Sequence, residues 1–212
     1  MKRLLTIAAA AFAFCFTAAP SHAAPIFTIT NTTGFSLGNP PFTLGFEFVA
    51  NSAMNVTALG LFDDNLNGLA ESHQIGLFNS SGTLLASTTI PAGTAAPLTN
   101  QFRYVPIPSV TLAAGATYRI GAVYTSGADP LIFPGTATGF ATDPSMTFIG
   151  SRFAGGATLT NPTLSGGDGT ANAAYFGPNA LLAAAPEPTT MAVFGLMAVG
   201  AFGIRRRLKT TV

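Results

Sequence analysis

Residues 42–49 alternate. Phe42, Leu44, Phe46 and Phe48 occupy one set of positions, and Thr43, Gly45, Glu47 and Val49 the other. A period of two marks a strand with one buried face. It assigns the first four side chains to a core and Glu47 to solvent. Tyr118, Ile120, Ala122 and Tyr124 repeat the pattern, with Arg119 pointing the other way. Between these lie apolar runs at residues 54–62, 74–78, 83–90 and 102–107, each bounded by Gly, Pro, Asn or Ser. Ser80-Ser81-Gly82 reads as a hairpin loop and Ala113-Ala114-Gly115 as another turn. Residues 161–172, rich in Gly, Thr and Asn, read as a long surface loop. No long helical period interrupts the series, so the predicted fold class is all-β, an antiparallel β-sandwich or jelly roll. Leu59, Leu77 and Ile120 are expected to pack against the Phe42–Phe48 face.

The two ends have a different pattern. Lys2-Arg3 precedes an apolar stretch over residues 4–16, and Ser21-His22-Ala23 places small residues at the −3 and −1 positions of a cleavage site. This arrangement predicts a signal peptide, residues 1–23, removed after Ala23. Cys15 does not make it a lipoprotein signal, because Phe14 stands where a small residue is needed. At the other end Pro186-Glu187-Pro188 is followed by an apolar run over residues 191–204 and then by Arg205-Arg206-Arg207 and Lys209. The run is shorter than the ~20 residues that cross a bilayer core, and snorkelling of the arginines would extend it. The basic cluster should stay cytoplasmic. The prolines keep Glu187 in extended, accessible chain.

Motif, apolar helix and basic terminus in that order resemble the PEP-CTERM sorting signal of Gram-negative bacteria. The resemblance implies an exosortase-type processing enzyme as partner, with Pro186, Glu187, Pro188 and Arg205, Arg206 and Arg207 as the sorting determinants. It also implies export through the secretion machinery, transient anchoring in the inner membrane, and a final location in the envelope, at the cell surface or outside the cell. The expected organisation is a signal peptide (1–23), a β-sandwich domain (24–182), and a linker with the sorting tail (183–212).

Excluding both ends changes the charge. The basic residues left are Arg103, Arg119 and Arg152, against Glu47, Asp63, Asp64, Glu71, Asp129, Asp143 and Asp168. A mildly acidic domain without lysine disfavours nucleic acid as a partner, since phosphate neutralisation needs a basic face. The single cysteine lies in the signal, so the domain has no disulfide, thiolate metal site or cysteine nucleophile. The chain is long enough for one domain with a real core. Residues 56–63, 68–70, 72–78, 83–87, 112–118 and 175–179 together resemble a module of unknown function found in secreted bacterial proteins. That resemblance covers roughly residues 41–182 and implies a β-sandwich accessory domain.

Chemistry concentrates in one segment. Asp63, Asn65 and Asn67 alternate, Gly68 follows, and Glu71 stands at the ninth position. Oxygen ligands at positions 1, 3 and 5 with Gly at 6 open a calcium loop. The twelfth position, however, is Gln74 and no helices flank the segment, so a plain polar turn competes with weak calcium binding. His73 is the histidine left after signal removal, and a lone His at a strand edge reads as a hydrogen-bonded structural residue. No His-rich cluster or phosphate loop is present. Glu47 and Glu71 are the candidates for a glycosidase pair.

The sequence therefore points to an exported, non-catalytic surface or extracellular-matrix protein. A carbohydrate- or ligand-binding module, using Tyr104, Tyr124 or Tyr175 on an extracellular polysaccharide, is the alternative. A secreted hydrolase acting through His73 is the second.

Overall fold

The computed structural model describes residues 23–30, 34–36, 40–132, 138–168 and 175–183, which lie in one compact unit, Ala23–Ala184. The signal-peptide and sorting-tail expectations fall outside the described residues. Among those residues there is no α-helix, and no helix is long and apolar enough to cross a membrane.

The strands are β1 (Phe27–Thr28), β2 (Phe42–Ala50), β3 (Met54–Phe62), β4 (His73–Asn79), β5 (Leu84–Ile90), β6 (Leu98–Thr99), β7 (Phe102–Leu112), β8 (Thr117–Tyr124), β9 (Ala141–Thr142), β10 (Met146–Gly155), β11 (Leu164–Asp168) and β12 (Pro178–Leu182). They form a six-stranded sheet, order β11-β10-β2-β8-β4-β5, and a four-stranded sheet, order β12-β3-β7-β6. β1 and β9 make a short pair of their own. Every paired ladder is antiparallel. The fold is all-β, consistent with a β-sandwich.

Register follows from the alternation. Phe46 pairs with Ile120, and Ile120 pairs with Leu77 on its other side, so three central strands turn these side chains to one face. Leu44, Phe46, Phe48, Leu59, Leu77 and Ile120 are all buried, and Phe42 is half-buried with its ring 6.3 Å from Phe153. Phe27 lies between the sheets, 5.6 Å from Phe46 of one and 5.3 Å from Phe102 of the other. A slip of one residue would turn this whole row out of the aromatic core, so the core fixes the pairing.

Glu47 corrects a prediction. It points to the outer face of the six-stranded sheet as expected, yet it is only 8% exposed. Arg119 on β8 donates to Oε1 at 2.7 Å, and Arg152 on β10 donates through Nε to Oε2 at 2.8 Å. Two neighbouring strands thus cover the carboxylate with opposite charge, which alternation along β2 cannot reveal.

The segment after β10 covers more of that outer face. Thr158 and Thr160 bond to Thr43, and Pro162 and Leu159 lie over Gly121 and Gly76. A Cβ at Gly76 would come within 2.9 Å of Leu159, so glycine there permits the close approach. Residues 161–172 are also not loop throughout, since β11 lies within them as an edge strand on β10. Ser80-Ser81-Gly82 does close the β4–β5 hairpin. The turn at Ala113-Ala114-Gly115 instead passes from β7 in one sheet to β8 in the other.

Candidate functional site

At one end of the sheets, the loop from β3 to β4 meets the loop after β8. Asp63 follows β3 and is completely buried. Its Oδ2 accepts from Arg103 Nε at 2.7 Å, and both oxygens accept from the Gly68 N–H at 3.0 and 3.1 Å. Arg103 also donates through Nη1 to the carbonyls of Thr94 and Ala96. The buried ion pair ties the loop to β7. Gly68 reaches the carboxylate at φ +102°, a conformation that side chains disfavour.

Asn65 and Leu66 are left-handed as well, each at φ 62°. For Leu66 this costs roughly 1–2 kcal/mol, while Asn adopts this region more readily. Asn65 donates to Asp64 Oδ2 at 2.6 Å, and the Asn67 amide nitrogen donates to the Asp64 and Gly68 carbonyls at 3.1 and 3.2 Å. Asp64 Oδ1 accepts from the Gly34 N–H at 2.7 Å.

Beyond this turn two acids cap each other's loops. Asp129 accepts from the Ala70 and Glu71 N–H groups at 2.7 and 2.9 Å. Glu71 in turn accepts from Thr125 Oγ1 at 2.8 Å and from Ser126 N and Oγ at 3.1 and 3.0 Å. His73 stands behind them, 1% exposed, its ring 5.0 Å from that of Tyr124. Its Nδ1 is 2.8 Å from the Val123 carbonyl and its Nε2 is 2.8 Å from Asp129 Oδ2. Both ring nitrogens are thus engaged within the domain. For Asp129, burial alone would raise the pKa. The bonds from His73 and from the Ala70 and Glu71 N–H groups outweigh it and hold the carboxyl below the usual range. Glu71 is lowered in the same way, its desolvation outweighed by Thr125, Ser126 and the charge of His73.

The calcium set does not assemble as the sequence suggested. Asp63 is committed to Arg103 and Gly68, and Glu71 to Thr125 and Ser126. Only Asn65 and Asn67 of the four line a cleft of about 310 Å³, with Asp64, Gly68, Ala70, Ala128, Asp129 and Pro130. Among the described residues, the donor set that does converge is Glu71, His73 and Asp129, whose ligand atoms lie within 4.8 Å of one another. Its nitrogen suits a transition ion better than calcium, which takes oxygen. A metal would have to replace the His73–Asp129 bond.

Other candidates are corrected by burial. Tyr104 and Tyr124 are interior, with their hydroxyls pushed well above the usual range by desolvation, and offer no stacking platform. Tyr175 is half-buried. Glu47, held by two arginines, and Glu71, held in the loop clamp, do not form a carboxylate pair sharing partners. Asp129, which organises the site, carried no local signal, because its partners lie 56 to 59 residues away.

Residues 30–175 match the family described as "Domain of unknown function (DUF4082)". The chain belongs to that family. No curated protein and no solved structure matches it.

Proposed function

We propose that this DUF4082 protein is an exported, non-catalytic component of the cell surface or extracellular matrix, with its β-sandwich as the structural domain. Residues 1–23 direct export, and the tail carrying Pro186, Glu187 and Pro188 is processed by an exosortase-type enzyme after transient anchoring in the inner membrane. The observation that carries the non-catalytic reading is the state of the candidate site. Both nitrogens of His73 and all four oxygens of Glu71 and Asp129 are bonded within the domain. A general base or nucleophile-activating histidine needs a nitrogen facing substrate. Here the groups join two loops. Fractionation of the native host with intact-mass measurement tests the reading. A surface or extracellular species beginning at Ala24 and ending near Pro186 supports it, whereas a cytoplasmic species of full mass contradicts it.

The polar cleft favours a second reading, a ligand-binding module. Asp64, Asn65, Asn67 and Asp129 give it hydrogen-bonding groups without an aromatic floor, which suits a small polar ligand such as part of an extracellular polysaccharide. A glycan array with wild type and Asp64→Ala separates this from a purely structural role.

A further inference from the structure

Residues 24–30 fill a slot in the domain. On one side Leu182 N–H donates to the Ala24 carbonyl at 2.8 Å and Ile26 N–H to the Ala180 carbonyl at 2.9 Å, with Pro25 opposite Leu181. On the other side Asp143 N–H donates to the Ile26 carbonyl at 2.9 Å, Phe27 and Thr28 pair with β9, and Thr30 N–H donates to the Thr138 carbonyl at 2.8 Å. Ile26, Phe27 and Ile29 are buried. The Phe27 ring lies 4.8 Å from Phe176 as well as against Phe46 and Phe102. Asn179, fully buried, donates through Nδ2 to the Phe27 carbonyl at 3.0 Å.

Withdrawing this strand would leave a phenyl-sized hole, an unpaired buried amide and two open strand edges. Each is costly, and the open edges are templates for pairing. The slot therefore demands a strand, but nothing covalent requires that strand to come from the same chain. Once the proposed cleavage after Ala23 frees its end, the segment can leave without threading. Fully extended, residues 31–41 can span roughly 36–40 Å. Using that length releases, among the described residues, the Phe35–Leu131 bridge, the Gly34–Asp64 bond and the bond from the Gly156 N–H to the Pro41 carbonyl.

We propose that the N-terminal strand is exchanged between copies, so that residues 24–30 of one chain occupy the slot between β12 and residues 138–143 of a second. A copy that donates its strand has an empty slot and must receive one. Exchange therefore builds either a reciprocal dimer or a head-to-tail array. This rests on the proposed export only for the free end at Ala24, and it gives a surface protein a means of self-assembly.

Paired thiols test it in the full-length protein carrying Cys15→Ser. Pro25→Cys and Leu181→Cys are introduced singly and together, and N-terminal mass reports cleavage separately from exchange. The two single variants are mixed, warmed close to the melting temperature, cooled and oxidised. The expected result is a disulfide-linked heterodimer in the mixture and interchain species in the double variant. A double variant that closes only within one chain, with no heterodimer from the mixture, overturns exchange. Absence of any disulfide in the double variant overturns it too, because the strand would then not lie beside β12.

Discussion

The aromatic core and the loop clamp are held together by opposite means. Phe27, Phe46, Phe102, Phe140, Phe148 and Phe176 pack ring against ring with centroids 4.7–6.4 Å apart. Most of their gain is burial of apolar surface, which is non-directional, so many neighbours share the loss of any one. At the loop end each acid has assigned donors, and removing one group orphans its partners. The core makes the sheets; the clamp gives the loops one conformation. Core damage should therefore be global and clamp damage local.

The largest effect should come from the core. Phe46→Ala is expected to cost about 3–5 kcal/mol in urea unfolding, enough to unfold a marginal domain. A loss below about 1 kcal/mol would mean that the Phe46 face is not the central packing surface. Close behind is the buried pair that anchors the β3–β4 loop. Arg103→Met leaves the buried Asp63 carboxyl opposed only by the Gly68 N–H, and about 3 kcal/mol of destabilisation is expected. Simultaneous Asp63→Leu should recover part of it, and no recovery would break the assigned pairing.

Much of the core could be read along the chain because burial follows a local period. Phe42 to Phe48 and Tyr118 to Tyr124 announced their faces, and Gly82 its turn. Other features depend on distant chain. Glu47 took the predicted face but a different environment, because Arg119 and Arg152 arrive from other strands. Leu164–Asp168 is glycine-rich, and its strand character comes from the β10 edge. The Asp63-x-Asn65-x-Asn67-Gly68 spacing does form a tight carboxylate-centred turn. Its central charge is Arg103, whose role no spacing near Asp63 foretells.

Acid should separate the regions further. Asp129 and Glu71 both have folded-state pKa values below their unfolded ones. Their contribution is therefore present above the unfolded values near pH 4 and is lost as pH falls through the lower folded values. Melting temperature should decline below about pH 4, and Asp129→Asn should flatten the decline. A decline unchanged in that variant would place the acid sensitivity elsewhere. The smallest effect concerns calcium. With both Asp63 oxygens engaged, ~10 mM calcium should leave the melting temperature unchanged. A rise abolished by Asp64→Ala would instead show that the cleft takes the ion.

The division between global core and local clamp is tested most directly by amide hydrogen exchange in wild type and Asp129→Ala. In wild type the Ala70, Glu71 and Ser126 amides, which donate to Asp129 and Glu71, should be protected although they lie in loops. The substitution should remove protection at Ala70 and Glu71 while the Phe46 and Ile120 amides in the central strands keep theirs. Unprotected loop amides in wild type, or loss of protection across the central strands in the variant, would contradict the account.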